Sequence, residues 1–199
     1  MNVCIVGHGP STKGQGLGKL IDCHSLVIRH VECDWQDAED YGQKYDIGIF
    51  CPDPISMARD SDRVPRMYWL YRPKSPPMED TTIGDVWTTF REKSCRYLDD
   101  LVNPLISGRH FSRGTAAIIA ASKILNPTEI LLVGFDAVLR GEFSPNHHPP
   151  ELSKMLNDKF RPDIKNTPLR FDTHEWAKEK ELIKTISTKK NIRINALKQ

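Results

Sequence analysis

The sequence predicts a single α/β domain spanning residues 1–199: a Rossmann-like, mainly parallel and twisted sheet with helices on both faces. Three features predict it. An apolar run, Asn2 to Val6, stops at a glycine-rich loop; an alanine-rich helix, Arg113 to Leu125, leads into the unbroken apolar run Ile130 to Val133; and a long amphipathic segment lies near the end of the chain. A strand without polar alternation is buried on both faces, the mark of a parallel sheet covered by helices. At 199 residues the chain fits one ordinary domain, whose core needs no disulfide or metal to hold it.

In chain order, NVCIV reads as a buried strand ended by Gly7. The stretch that follows packs five glycines and one proline into a few turns, and Leu17, Leu20 and Ile21 at i, i+3, i+4 predict a short helix. Ser25 to Arg29 and Tyr45 to Phe50 are the next strands, the second ended by Cys51-Pro52-Asp53-Pro54, and Met67 to Leu70 is a further strand cut off before Pro73. The prolines of 52–80 mark no domain boundary, because the remainder on either side is too small to stand alone. Alanines and long aliphatics favour helix from Arg113 to Leu125, and Asn126-Pro127 ends it. Residues 141–170 read as irregular. The last helix runs from about Thr173 to Lys189, with Trp176, Ile183 and Ile186 on its apolar face.

Hydrophobic residues make up 39% of the chain and charged residues 27%, which excludes a disordered protein. A formal net charge of +2 argues against nucleic acid as an obligatory partner. From Glu151 onward, 12 Lys and Arg stand against 7 Asp and Glu, a surface that is either simply solvated or suited to an anionic acceptor or membrane face. The five cysteines, Cys4, Cys23, Cys33, Cys51 and Cys95, are odd in number and irregularly spaced, with no C-x-x-C. They argue against a zinc site or disulfide framework and for reduced thiols in the cytoplasm. No stretch approaches the roughly 20 apolar residues of a membrane span, and no basic region precedes the first strand as in a secretion signal.

A loop of glycines between a first strand and a helix is where an α/β protein holds a phosphate, since small residues admit the anion to backbone N–H groups and the helix terminus adds its dipole. Gly14-Gln15-Gly16-Leu17-Gly18 is not G-x-G-x-x-G, which argues against a dehydrogenase, and no G-K-[ST] follows Gly7, which excludes a P-loop. Taken alone, the loop also fits a tight turn without a ligand.

The wider string CIVGHGPSTKGQGLGKLIDCHSLVIRH resembles the large sialyl motif of glycosyltransferase family 29, the sialyltransferases. Cys4, Val6, Gly7, Gly18, Ile21, Asp22, His24, Val27 and Arg29 fall in register. Two positions depart: His8 and Val31 stand where the family has asparagines that contact the donor nucleotide. His8 still offers hydrogen bonds to a phosphate or ribose; Val31 offers none, which makes room for a different nucleotide or a reshaped contact. Phe111-Ser112-Arg113-Gly114-Thr115 and Val133-Gly134-Phe135-Asp136 resemble the two ends of the small sialyl motif, and Ser112 or Thr115 is placed to cap the helix between them. The cysteine that pairs with the counterpart of Cys4 in secreted members is missing around Leu125-Asn126-Pro127, in keeping with a reducing compartment. His174-Glu175-Trp176-Ala177-Lys178-Glu179 matches the family's terminal His-x4-Glu. Independently of any family, Asp172 as N-cap and Glu175 as its N3 partner put His174 in a first helical turn. The positive end of a helix disfavours imidazolium, and a neutral imidazole is what a general base must be.

The resemblance implies a minimal member of a GT-A variant type. It would move sialic acid or a related sugar acid from a CMP-activated donor to the hydroxyl of a glycan or other acceptor. It implies a direct inverting displacement without metal and with no cofactor beyond the donor, His174 serving as base. His147 and His148 are the candidates, by order along the chain, to support the departing phosphate. The nucleotide-binding set is Gly7, His8, Gly9, Pro10, Ser11, Arg29, Ser112, Arg113, Gly114, Thr115 and, in a supporting role, Glu179. The donor is expected across the carboxyl ends of the strands, between the glycine loop and Ser112. Residues 35–100, which match no named motif, are expected to hold much of the acceptor site, with Trp69, Tyr71 and Trp87 as stacking platforms.

Three alternatives compete. Asp60-Ser61-Asp62 has the D-x-D spacing of a metal-dependent sugar transferase. A UDP-sugar-dependent enzyme could act on hydroxymethylated viral DNA, which the basic C-terminal third permits without demanding. A non-catalytic nucleotide-binding module would use the same loop without turnover.

Overall fold

The computed structural model describes residues 1–7, 9–30, 37–50, 65–71, 95–105, 111–140 and 176–196. Within them the strands are β1 (Asn2–Val6), β2 (Leu26–His30), β3 (Ile47–Phe50), β4 (Met67–Leu70), β5 (Cys95–Tyr97), β6 (Glu129–Val133) and β7 (Arg193–Ala196). The helices are α1 (Gly18–Asp22), α2 (Ala38–Tyr41), α3 (Asp99–Val102), α4 (Arg113–Ala120), α5 (Asp136–Arg140) and α6 (Trp176–Lys190). The described strands form one open sheet in the order β5-β4-β3-β2-β1-β6-β7. Each described pairing is parallel.

The predicted fold class is therefore correct. The chain builds outward from β1 to β5 on one side, then crosses back to place β6 and β7 on the other. β1 thus has β2 on one flank and β6 on the other, and the crevice at the carboxyl ends of β1 and β6 is the topological switch point, where open α/β sheets bind ligands.

Alternation along the strands explains the layers. Val3, Ile5, Ile28, Ile130 and Leu132 face α4 and α6, where Ala116, Ala117, Ile118, Ile119 and Ile183 complete the larger core. Cys4, Val6, Val27, Leu131 and Val133 face the other way, onto Ile21 of α1, with Leu17 and Tyr41 at the edge. Burying one such aliphatic side chain stabilises the fold by about 1.5–3 kcal/mol. The alanines of α4 leave no bulk to hold that helix off the sheet, and its end widens into a π turn, Ala121–Leu125, closed by Asn126 at φ 45°.

One expectation needs correction. Trp69 and Tyr71 have 0% exposure. They belong to the core beneath α4 and offer no face for stacking; the alternation of β4 and its neighbours had already committed them inward. The sheet also has two edge strands that the pattern did not reveal. β5 is only three residues long, and β7 is exposed at three of its four positions, so neither carries a continuous apolar run. Trp87, also read as a platform, lies outside the described residues.

Candidate functional site at the carboxyl ends of β1 and β6

Past their last ladder residues, β1 and β6 remain joined. Gly7 N–H donates to the Val133 carbonyl at 2.8 Å, and Gly9 N–H donates to the Gly134 carbonyl at 2.8 Å. A side chain at Gly9 would run into the Asp136 carboxylate and the Gly134 backbone, so this approach of two loops requires glycine there. Pro10–Thr12 forms a single 3-10 turn. The Ser11 N–H then donates to Asp136 Oδ2 at 3.2 Å, fastening the loop to the first residue of α5.

The start of α4 reaches the same place. The Phe135 ring lies against Gly114, where a Cβ would stand 2.7 Å from it, and also against Gly7. One ring therefore separates the glycine loop from the helix that Ser112 caps. Ser112 is the N-cap, its hydroxyl accepting from Thr115 N–H at 3.2 Å.

Beneath them lies Glu179 of α6, fully buried. Its carboxylate accepts from Ser112 N–H at 2.8 Å, from the Ser112 hydroxyl at 2.6 Å and from the Thr115 hydroxyl. A buried carboxyl group is tolerated when it is this fully hydrogen-bonded. Here it also stands at the positive ends of two helices, α4 and its own α6. Lys180, the next residue, donates to the Leu139 carbonyl at 2.7 Å and so ties α6 to α5.

Gly7, Gly9, Pro10 and Ser11 thus lie on one side of the Phe135 ring, and Ser112, Arg113, Gly114 and Thr115, with Glu179 bonded to them, on the other. Of these, Ser11, Ser112 and Arg113 keep exposed surface, while Gly7, Gly9, Gly114, Thr115 and Glu179 are buried. Arg29 does not join them. It has 0% exposure on the α1 side of β2, its Nε donating to the Lys44 carbonyl at 2.7 Å and its guanidinium lying 3.6 Å from Asp22. Asp22 also accepts from the Gln43 and Lys44 N–H groups. Two residues of the first motif, Asp22 and Arg29, therefore clasp α1 to the turn before β3, and the buried guanidinium presents no surface to a nucleotide. His8, His147, His148, His174 and the Asp60-Ser61-Asp62 segment lie outside the described residues.

Cys4 sits deep in β1 as a free thiol, and burial pushes it up to about 12 against the lowering influence of Arg29. Cys23 is free and exposed.

Sequence reasoning missed Asp136 and Asp40. Asp136 was read only as the end of a strand motif, yet its carboxylate lines the crevice. Asp40 of α2 reaches back to the glycine loop, accepting from Gly14 N–H and from Gly16 N–H at 2.7 Å. The glycines gave no signal as to which acidic residue would meet them. Thr12 was overlooked as well: it is 1% exposed, and its Oγ1 lies against Gly134 without a hydrogen-bond partner among the described residues.

These features define an open, doubly wound α/β protein with its crevice at the switch point. Neither a protein-family model nor a curated protein sequence matches the chain. Among solved structures, it is similar to a mammalian sialyltransferase, with a TM-score of 0.56 and 17% identity over 99% of this chain and 68% of that one. It is likewise similar to a mammalian sialyltransferase in complex with Gal-beta-1-3GalNAc-ortho-nitrophenol, with a TM-score of 0.57 and 16% identity over 99% of this chain and 69% of that one. At this identity the likeness is one of fold. No helix among the described residues is long and apolar enough to cross a membrane.

Proposed function

We propose that the chain is an inverting glycosyltransferase that moves sialic acid or a related sugar acid from a CMP-activated donor to an acceptor hydroxyl. The observation that carries the reading is that the loop after β1 and the capped start of α4 flank one ring, Phe135, at the switch point, with Glu179 bonded to Ser112 and Thr115. That crevice belongs to a fold similar to mammalian sialyltransferases, and the three converging segments are those whose sequences resemble the sialyl motifs.

The chemistry is a single displacement. The acceptor oxygen bonds to the anomeric carbon as the bond from that carbon to the CMP phosphate oxygen breaks, and the configuration inverts. The acceptor proton passes to the neutral imidazole of His174, and CMP departs, with His147 or His148 supporting its phosphate. A nucleoside monophosphate carries less charge than a diphosphate, so the step is proposed to need no metal.

The first test is a thermal-shift series with CMP, UDP, GDP and NAD. A ligand that binds only the folded state at a hundred times its dissociation constant stabilises it by about 2.7 kcal/mol. Selective stabilisation by CMP is expected; selective stabilisation by UDP would replace this donor. The second test follows CMP release from CMP-sialic acid in EDTA, with wild type beside His174→Ala. The reading requires release that survives EDTA and is lost in the variant. An inactive wild type that still binds CMP would leave a non-catalytic nucleotide-binding module.

A further inference from the structure

Gly14 and Gly16 lie at φ +76° and +63°, the left-handed region, on either side of Gln15. Successive residues that alternate in this way turn their backbone N–H groups into one concavity, a nest that takes an anion. In this protein the nest is already filled. Asp40 Oδ2 accepts from Gly14 N–H and Oδ1 accepts from Gly16 N–H at 2.7 Å. Asp40 is 4% exposed. It is also held from behind: Asp37 caps α2 by accepting from the Asp40 N–H at 3.2 Å. Gly18, at the start of α1, leaves no room for a Cβ against the Ala38 carbonyl and the Gly42 nitrogen, so α1 and α2 are locked together.

We propose that Asp40 is the resident anion of the glycine loop: its carboxylate occupies the Gly14–Gly16 nest, presets the loop without any ligand and closes those N–H groups to phosphate. A second anion would have to displace a carboxylate that is hydrogen-bonded and anchored through α2. The neighbouring donors of the loop are engaged too, Gly7 and Gly9 with carbonyls of the β6 end and Ser11 with Asp136. Asp40 is thus a positioning residue. If the reading of the crevice as a donor site is right, the donor phosphate meets the side chains of Ser11 and Arg113 rather than the engaged N–H groups of the loop.

The test is anion rescue, and it uses no nucleotide. Asp40→Ala removes the carboxylate and opens a vacancy of about its size. Tm is followed while sodium formate is titrated at constant ionic strength, beside wild type and Asp40→Asn. The Ala variant is expected to melt lower and to recover at least half of that loss with saturable formate dependence, while the filled Asn variant responds only as wild type does. A Tm for the Ala variant that tracks wild type at every formate concentration overturns the proposal. Should the Ala variant not fold, Asp40→Asn carries the test by amide exchange. Exchange at Gly14 and Gly16 must be at least about ten-fold faster than in wild type while Gly7 and Gly9 are unchanged; equal rates overturn it. In wild type, inorganic phosphate must leave the Gly14 and Gly16 amide resonances unmoved, and a saturable shift there also overturns it. Formate rescue without CMP binding would fault the functional reading alone.

Discussion

Asp40 shows how one carboxylate can decide the behaviour of a loop. Its bonds from Gly14 and Gly16 hold its carboxyl below the usual range, against the opposing pull of burial. A carboxyl with a depressed folded-state value stabilises the protein fully above its unfolded value of about 3.9, and that contribution is lost as pH falls through the lower folded one. Wild type is therefore expected to lose stability relative to Asp40→Asn between neutral pH and the acid limb below about pH 4, where the unfolded chain takes up the proton more readily. Denaturant unfolding of the two proteins at stepped pH checks this; a stability difference that stays constant across the acid range would contradict it. The same residue shows what a glycine loop leaves open in a reading from sequence. Glycines announce a backbone conformation, but they do not say whether the anion that uses it comes from a ligand or from elsewhere in the chain.

Among the elements, α4 and α6 are joined at their starts by one buried carboxylate. Ser112 caps α4 and also donates to Glu179, so its hydroxyl serves two helices at once. Loss of an N-cap costs about 1 kcal/mol, and leaving a buried polar group without its hydrogen bonds costs roughly 1–3 kcal/mol. Ser112→Ala and Glu179→Gln each remove part of the same joint, so their effects cannot add. A double-mutant cycle by denaturant unfolding is expected to give a coupling of about 1 kcal/mol or more, the double variant losing less than the two singles together. Additivity within about 0.3 kcal/mol would mean that the contact carries little energy. The sequence disclosed each half of this joint separately: Ser112 as a cap, Glu179 as one end of His-x4-Glu. It did not disclose that the two meet, because a contact across 67 residues leaves no local periodicity.

At the scale of the whole molecule, the parallel sheet was legible because β1 and β6 are apolar after their first residues, Asn2 and Glu129, and α4 is rich in alanine and isoleucine, so burial pattern and fold coincide. The edges were not, since β5 and β7 face solvent and owe their strand form to their neighbours' backbone rather than to their own side chains. The segments proposed for the site were legible, but not the division of labour within them: Arg29, read as a ligand, is buried beside Asp22, whereas Asp136, read as a strand end, holds the Ser11 N–H. That division follows from topology. Chain connections part at the switch point, leaving loops after β1 and β6 free to border a ligand, whereas Arg29 faces back onto α1 and its clasp. Bound CMP should accordingly slow amide exchange at Gly9, Ser11, 112–114 and 134–136, where these loops and the α4 start adjoin. It should leave the amino ends of β1 and β6 near Asn2 and Glu129, and the edge strand β7, at their ligand-free rates. Exchange followed with and without saturating CMP decides this, and protection confined to the carboxyl ends of β4 and β5 would move the nucleotide away from the switch point and disconnect it from the joint that Glu179 makes.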